Sequence, residues 1–210
     1  MKPASNPNEP WEVFLPLKQF ASGKSRLANL SADLRISLIK AMASDLIDAL
    51  LQVPNIARIT VVGVDLESLT ESADPRLKSF PILEPISINA DLKLAIGDTN
   101  RIAIFLPDLP SVKAAEITQA LELASKHQTS FIADLNSIGS TAFFSTIGKV
   151  QTHFGINSAA FHRQAQAIEL IDAQFKGIKA DCDDWADLLA IESSDLGHET
   201  RALMEHRRHN

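Results

Sequence analysis

Short apolar runs alternate with amphipathic segments along most of the chain. Apolar residues recur at three- and four-residue spacing over Ala32–Leu51, directly after Ser31, and this spacing predicts a helix with Ser31 as its N-cap. Asp45 is the polar exception within that apolar series. Continuous apolar runs at residues 59–64 and 102–106 predict strands that are covered on both faces.

The remaining segments follow the same alternation. We predict strands at residues 11–17, 80–83 and 131–133, and a strand end at 179–183. A polar loop is expected at 134–141. Helices are expected at 90–96, 111–126 (capped by Ser111), 158–171 and 184–191. Strands that alternate with helices are typical of βαβ units. The fold class is therefore α/β: a single three-layer α/β/α domain over residues 11–192 with a mainly parallel, Rossmann-like sheet. Residues 1–10 are expected to form a flexible tail, and residues 193–210 a tail or a helix.

Composition narrows the classes of function. The chain has 210 residues, a net charge of -6, 45% hydrophobic and 22% charged residues. These values fit one globular domain and disfavour a nucleic-acid-binding protein, which needs a basic surface, but they allow a nucleotide substrate. We expect no membrane helix and no secretory signal, and the single cysteine, Cys182, fits the reducing cytoplasm. A homodimer is a possible assembly.

Four segments with candidate chemistry follow predicted strands. They are the loop after the first strand, Asp108, the loop after Asp134, and Asp181 with Asp183. Ligands of open α/β sheets bind beyond the carboxyl ends of the strands, so we expect these segments to border one crevice.

The loop after the first strand carries several cations. Lys18, Lys24, Ser25 and Arg26 are suited to hold an anionic substrate together with backbone amides. The loop is not a P-loop, because Lys18 stands where a P-loop has its first glycine. A solvated basic loop is the alternative interpretation.

Three aspartates form a candidate metal site. Asp108 ends an apolar strand between two prolines. In an extended segment Asp181 and Asp183 would share one face, roughly 7 Å apart, while Cys182 would point into the core. Carboxylates so placed suit one or two Mg²⁺ ions, because a cation relieves their mutual repulsion. The alternatives are a turn aspartate at position 108 and a helix cap at Asp183 or Asp184.

A fourth region combines glycine and hydroxyl groups. Residues 139–141 and 154–158 lie near a predicted helix start, and their composition suits the binding of phosphate or carboxylate. An ordinary loop followed by Ser158 as N-cap explains the same residues. His162, one turn inside that helix, is interpreted as a surface or packing histidine, and a general base is the alternative.

The order of these segments resembles a known family. A strand leads into a PLK loop with AxxKSRL, followed by a DLP aspartate, a D…G-[ST]-T loop, FGxxSxxxH and a DxDxxxDL ending. Over residues 14–189 the chain is similar to the guanylyltransferases that activate 2-phospho-L-lactate or phosphoenolpyruvate during biosynthesis of the deazaflavin coenzyme F-420. That family belongs to the superfamily of molybdenum-cofactor and sugar nucleotidyltransferases.

The resemblance implies a role for each candidate residue. GTP would be held by Lys18, Ser25 and Asn89, and the catalytic residues would be Asp108, Lys24 and Arg26. Two Mg²⁺ ions would be bound by Asp108, Asp181 and Asp183. The phosphorylated acid would be held by Thr141, Gly155 and Ser158. The implied reaction transfers GMP from GTP to the phosphate of that acid and releases pyrophosphate. Phosphoenolpyruvate is the favoured acceptor, and 2-phospho-L-lactate is the next.

The sequence also departs from the family pattern. Pro107 replaces the usual alanine before the DLP aspartate, Ser137 stands where a glycine is common, and the DVDTPEDL ending reads DCDDWADL. The aspartates are retained, so these changes bear more on the acceptor than on the metal. The alternatives are another transferase of the superfamily, acting on a sugar phosphate or a molybdenum cofactor, and a nucleotide-binding module without catalysis. The PLKQFASGKSRL opening, in place of LAGGxSxRMG, disfavours the first alternative.

Overall fold

Residues 9–17, 30–64, 66–70, 72–148 and 151–208 are described in a computed structural model of the chain. The strands are β1 (Trp11–Pro16), β2 (Ile56–Gly63), β3 (Leu77–Pro81), β4 (Ile102–Phe105), β5 (Thr129–Ala133), β6 (Ser140–Ser145) and β7 (Ile168–Glu169). The helices are α1 (Ala32–Leu51), α2 (Ile88–Ile96), α3 (Ala114–Ala124), α4 (Ser158–Gln164), α5 (Trp185–Ala190) and α6 (His198–Arg208), with a 3-10 turn at Leu66–Ser68.

Across the described residues, seven strands form one sheet in the order β3-β2-β1-β4-β6-β5-β7. The pairs β1–β2, β1–β4, β2–β3 and β5–β7 are parallel, while β6 runs antiparallel to β4 and β5. The predicted mainly parallel sheet is therefore confirmed. Because β6 is antiparallel to β4 and β5, it begins at the edge of the sheet where those two strands end.

Helices cover both faces of this sheet. Val13 and Leu15 of β1 face a core with apolar side chains of α1 and α3. Phe14 between them faces the opposite core, which contains Leu92 of α2 and Ala159 of α4. This division follows from the two-residue period of a strand. The three-layer α/β/α architecture is confirmed.

Two predicted segments differ in the structure. The polar loop expected over 134–141 ends at residue 139, because Ser140–Ser145 is the fully buried strand β6. The helix expected over 158–171 is wrong beyond Gln164. Gln166 has φ +63°, a left-handed conformation that stops a helix, and Ile168–Glu169 then pairs with β5.

Two further predictions fail near α3 and α5. Ser111 is not an N-cap, because α3 begins at Ala114 and Lys113 occupies its cap position. Within the described chain, residues 179–183 form no strand, since this segment bonds to neighbouring loops instead of to a strand edge. The short helix expected after it is confirmed as α5.

Asp45, the polar exception in the α1 pattern, joins α1 to the last helix. Its carboxylate is buried and accepts the N–H groups of Glu199 at 2.8 Å and Thr200 at 2.9 Å, which caps the start of α6. Gly197 lies so close that a side chain there would overlap the Asp45 carboxyl group. None of the helices in the described ranges has the length and hydropathy that a membrane crossing needs.

Candidate active site

The candidate segments meet at one edge of the sheet. β4 continues into Asp108 and β5 into Asp134, while the antiparallel β6 begins at the same edge with Ser140 and Thr141. The N–H of Leu106 donates to the carbonyl oxygen of Thr141 at 2.8 Å. The Asp108 turn and the 139–141 segment are therefore neighbours, as the crevice rule for α/β sheets predicts.

A backbone hydrogen bond brings the aspartate pair to Asp108. The N–H of Cys182 donates to the carbonyl oxygen of Asp108 at 2.9 Å, so Asp181 and Asp183 lie on either side of that contact. The Cys182 side chain is 2% exposed and packs among apolar side chains of α1, α5 and α6. Its predicted inward orientation is confirmed. The fold thus joins chain segments that are more than seventy residues apart in sequence.

Glu116 anchors the chain that leads to this aspartate pair. Its buried carboxylate accepts the N–H groups of Lys176 at 2.7 Å and Gly177 at 2.8 Å, in addition to the N–H at the cap of α3. The carbonyl oxygen of Lys179 then accepts from the N–H of Leu135 at 3.1 Å. Glu116 was not among the site residues predicted from the sequence. A glutamate in the first turn of a helix is a capping signal, but its reach to residues 176–177 is visible only in the fold.

Asp184 is the helix cap that the sequence offered as an alternative for this region. Its Oδ1 accepts the N–H groups of Ala186 at 2.8 Å and Asp187 at 3.0 Å. Oδ2 of Asp187 in turn accepts the N–H groups of Asp183 and Asp184, each at 2.9 Å. The N-cap of α5 is therefore Asp184.

A backbone hydrogen bond brings the three aspartates close to one another. Asp108 is 9% exposed, and Asp181 and Asp183 are half-buried. Among the residues described, no three His, Cys, Asp or Glu side chains are grouped so that they could hold a metal ion. Carboxylate oxygens are ligands that Mg²⁺ prefers, so the donor chemistry fits. The oxygens would have to turn toward one another around an ion.

Asp134 shapes the loop at the end of β5. Its carboxylate accepts the N–H of Ile138 at 3.0 Å and that of Gly139 at 2.7 Å. A side chain at Gly139 would collide with this carboxylate, so the close approach requires glycine. Ser137 has φ +58°, a left-handed conformation that glycine adopts more readily than serine.

The two parts of the glycine- and hydroxyl-rich region are in contact. The Ser140 hydroxyl donates to the Ser158 hydroxyl at 2.9 Å, and both side chains are buried. The N–H of Ala159 donates to the Ile138 carbonyl oxygen at 3.1 Å. The N-cap of α4 is Asn157 rather than Ser158. The structure therefore brings residues 139–141 and 155–158 together.

The three residues assigned to the acceptor differ in accessibility. Thr141 is fully buried, with its hydroxyl 3.5 Å from the carbonyl oxygen of Ile132, and Ser158 is 2% exposed. Gly155 is exposed, has φ +132°, and faces open space where a Cβ would stand. Gly155 is thus the member of this set that an incoming ligand reaches most easily.

Asn89 bonds to the chain just before Gly155. Its Nδ2 donates to the Phe154 carbonyl oxygen at 2.9 Å. Its Oδ1 accepts from the Thr152 hydroxyl at 2.8 Å and from the Phe154 N–H at 2.9 Å. The side chain therefore ties α2 to residues 152–154, and its contact with GTP stays a prediction.

His162 is a packing histidine, the second of the two interpretations that the sequence favoured, and it does not lie at the surface. It is fully buried among the rings of Phe131, Phe143 and Phe154. Its Nε2 accepts the N–H of His153 at 3.1 Å. Burial, together with the neighbouring His153, lowers the pKa of His162 to about 4, so the ring is neutral near pH 7.

The four residues of the basic loop, Lys18, Lys24, Ser25 and Arg26, lie outside the described residues. The chain enters that loop after Leu17, at the carboxyl end of β1, and β1 lies beside β4 in the sheet. Their assignment to the nucleotide stays a prediction.

Comparison with known proteins gives one family match and several relatives. The sequence pattern of the family described as "Guanylyl transferase CofC like" matches residues 11–191. A phosphoenolpyruvate guanylyltransferase from Mycolicibacterium paratuberculosis is 31% identical over 204 residues, covering 92% of each chain. A phosphoenolpyruvate guanylyltransferase from Mycobacterium marinum is 31% identical over 208 residues, covering 93% of this chain and 94% of the relative.

Solved structures share the fold at low sequence identity. A nucleotidyl transferase from Methanothermobacter superposes with a TM-score of 0.58 at 14% identity, over 87% of this chain and 96% of that one. A 4-diphosphocytidyl-2C-methyl-D-erythritol synthase from Anaerococcus prevotii gives 0.57 at 7% identity, over 94% and 97%. Rv0371c of Mycobacterium tuberculosis, solved as a complex with manganese, gives 0.50 at 13% identity, over 87% and 97%.

Proposed function

The chain belongs to the family of CofC-like guanylyl transferases, and from that premise we propose that it transfers GMP from GTP to phosphoenolpyruvate in the biosynthesis of coenzyme F-420. The relatives that match over most of both chains are phosphoenolpyruvate guanylyltransferases, which supports this acceptor over 2-phospho-L-lactate. A cytoplasmic location is part of this proposal, because the reaction draws on GTP and the chain has a single, buried cysteine.

The main structural support for the proposed active site is the hydrogen bond from the Cys182 N–H to the Asp108 carbonyl oxygen. It sets Asp181 and Asp183 beside Asp108 at the carboxyl end of β4, next to the 139–141 and 155–158 segments that we assign to the acceptor. The proposed acceptor residues are Thr141, Gly155 and Ser158. The proposed nucleotide residues are Lys18, Lys24, Ser25, Arg26 and Asn89.

A divalent cation, Mg²⁺ or Mn²⁺, is part of the proposal. Asp108, Asp181 and Asp183 would hold it, since their carboxylates are the donors that such cations prefer. The manganese complex of Rv0371c, a protein of the same fold, supports a divalent metal for this chain. When bound, the cation neutralises charge on the transferring phosphates. We propose two ions, as the family resemblance implies.

The reaction requires little acid–base chemistry from the protein. A phosphate oxygen of the acceptor forms a bond to the α-phosphorus of GTP, and the bond from that phosphorus to the bridging oxygen of the β-phosphate breaks. Pyrophosphate leaves with those electrons. A phosphate monoester has its second pKa near ~6, so the nucleophile is already deprotonated at neutral pH. The buried, neutral His162 agrees with a mechanism that needs no histidine base.

The chain's own residues would then bind and orient two anions. Lys24 and Arg26 would offset negative charge on the triphosphate, and arginine can contact two phosphate oxygens at once. The 155–158 segment would orient the acceptor phosphate in line with the α-phosphorus. Positioning and electrostatic stabilisation supply most of the rate in phosphoryl-transfer reactions of this kind.

Two measurements test the proposal. Pyrophosphate release is measured with GTP and each of phosphoenolpyruvate, 2-phospho-L-lactate and 3-phosphoglycerate, and phosphoenolpyruvate should give the highest kcat/KM. Thermal shift with GTP, ATP and CTP, each with and without Mg²⁺, should show metal-dependent stabilisation by GTP. Activity with none of the acids, together with no response to any nucleotide, would contradict the proposed function.

A further inference from the structure

Three consecutive residues ahead of Gly155 are anchored by side chains of two helices. Asn89 on α2 bonds to Thr152 and to both backbone groups of Phe154, at 2.8–2.9 Å. His162 on α4 accepts the N–H of His153 at 3.1 Å. Thr152 is 7% exposed and Phe154 4% exposed, so water competes little for these bonds.

The anchored stretch ends where the exposed turn begins. Gly155 follows Phe154 directly and has φ +132°, and Asn157 has φ +59°. Ser158 then starts α4. The path of the 155–158 segment is therefore set from two sides. On its upstream side it is set by the bonds to residues 152–154, and on its downstream side by the Ser140–Ser158 hydrogen bond and the start of α4.

α2 lies on the other half of the sheet from this segment. It follows β3 in the chain and packs on β2 and on β1, the strand after which the basic loop begins. Asn89 is its second residue. The Oδ1 atom of Asn89 accepts two hydrogen bonds, so both of its lone pairs are occupied. One of the two Nδ2 hydrogens donates to Phe154, and the other has no acceptor among the described residues. That hydrogen is the one left for the nucleotide contact.

We infer that Asn89 is a positioning residue for the acceptor: through Thr152 and Phe154 it fixes the segment that presents Gly155 and Ser158 to the phosphorylated acid. This inference rests on the proposed function, since it assigns 155–158 to the acceptor. A residue that only held GTP would not need its oxygen on Thr152 and Phe154. Helix α2 thereby links the nucleotide half of the site to the acceptor half.

The sharpest variant is Thr152→Val, which removes one bond of Asn89 and leaves Asn89 itself intact. Losing a buried hydrogen bond should raise the KM for the acceptor about tenfold. The KM for GTP should stay within about twofold, because the remaining Nδ2 hydrogen is unaffected. Thr152→Ser keeps the hydroxyl and should restore the wild-type KM for the acceptor.

Ser87→Ala is the matched control. The Ser87 hydroxyl accepts the N–H of Ala90 at 3.2 Å and caps α2, so its loss removes one hydrogen bond from the same helix start while every bond of Asn89 to residues 152–154 stays in place. This variant should leave both KM values unchanged. Equal rises in both KM values for Thr152→Val, or a fall in kcat alone, would contradict the positioning role.

Hydrogen–deuterium exchange gives a readout that does not depend on turnover. Amides of residues 153–158 should exchange faster in Thr152→Val than in the wild type, in Thr152→Ser or in Ser87→Ala. Unchanged exchange in this segment overturns the inference. If the wild-type protein releases no pyrophosphate with any of the acids, the proposed function fails, and the exchange rates alone decide whether Asn89 fixes the segment.

Discussion

Individual side chains hold the site together chiefly by accepting backbone N–H groups. Asp134, Glu116 and Asp187 each accept at least two such groups, and each closes a loop or a helix start near the carboxyl ends of the strands. Such charge-assisted bonds are stronger than neutral ones. Sequence patterns indicate that these residues are polar, but they do not show which distant N–H groups they meet.

Ser137 is a residue-scale prediction. Its φ of +58° is costly for a residue with a Cβ. Ser137→Gly should stabilise the fold by about 0.5–1 kcal/mol, and Ser137→Val should destabilise it, because a branched side chain tolerates this conformation least. Urea unfolding of the two variants measures both changes. A less stable glycine variant would show that the Ser137 backbone is not under this constraint.

His162 makes the stability of the fold depend on pH. Its pKa is lowered to about 4 by burial and by His153, whereas an unfolded histidine titrates near ~6.5. The unfolded state therefore binds the proton first as the pH falls. The contribution is complete above pH ~6.5 and is lost progressively toward pH ~4, amounting to about 2 kcal/mol between pH 7 and pH 5.

The comparison of wild type with His162→Gln isolates this contribution, because glutamine keeps an acceptor for the His153 N–H. The variant should lose less stability than the wild type between pH 7 and pH 5 in denaturant unfolding. Parallel curves of unfolding free energy against pH would show that His162 is not the group responsible.

At the scale of elements, the apolar pattern of the sequence predicts most of the helices and strands. The helix Ala32–Leu51 agrees at both ends, because its cap Ser31 and its apolar stripe are local signals. β6 was missed because its residues STAFFS include polar hydroxyls that only the fold buries. The helix predicted over 158–171 was too long, because Gln166 adopts a left-handed conformation that a glutamine in the sequence does not indicate.

The capping of α6 by Asp45 gives an element-scale prediction. Asp45→Asn replaces one of two acceptor oxygens with an NH₂ group, which would face a backbone N–H of α6. The variant should be destabilised by about 2 kcal/mol, through a lost charge-assisted bond and a donor left unsatisfied. Thermal and urea unfolding measure this loss.

Asp48→Asn, on the same helix, is the control for that prediction. Burial and the nearby charges of Asp45 and Glu199 raise the pKa of Asp48, so its charge is mildly unfavourable in the folded protein. Removing that charge should leave stability unchanged or slightly higher. An equal loss of stability in both variants would argue against a specific cap.

For the whole molecule, the sequence predicted the α/β class, the three layers and the family, and all three are confirmed. The order of the motifs made this possible, because ligand-binding segments of α/β sheets follow strand ends. The contacts of Asn89 with residues 152–154, the anchoring by Glu116 and the capping by Asp45 could not be predicted. Each depends on how segments many residues apart pack in three dimensions.

The assignment of the aspartates is the central claim about the molecule as a whole. A backbone hydrogen bond from Cys182 sets Asp181 and Asp183 beside Asp108, and we propose that a divalent cation draws their carboxylates together there. The claim predicts that the neutral isostere at position 108 removes activity while leaving the fold intact. An exposed aspartate elsewhere, Asp98, offers the same chemical change without a role in the site.

The most direct measurement is Mg²⁺-dependent pyrophosphate release from GTP and phosphoenolpyruvate by wild type, Asp108→Asn and Asp98→Asn, with melting temperatures recorded alongside. Asp108→Asn should lower kcat at least about 100-fold with a melting temperature close to that of the wild type, and Asp98→Asn should be fully active. Turnover by a folded Asp108→Asn within a few-fold of the wild-type rate would contradict the account.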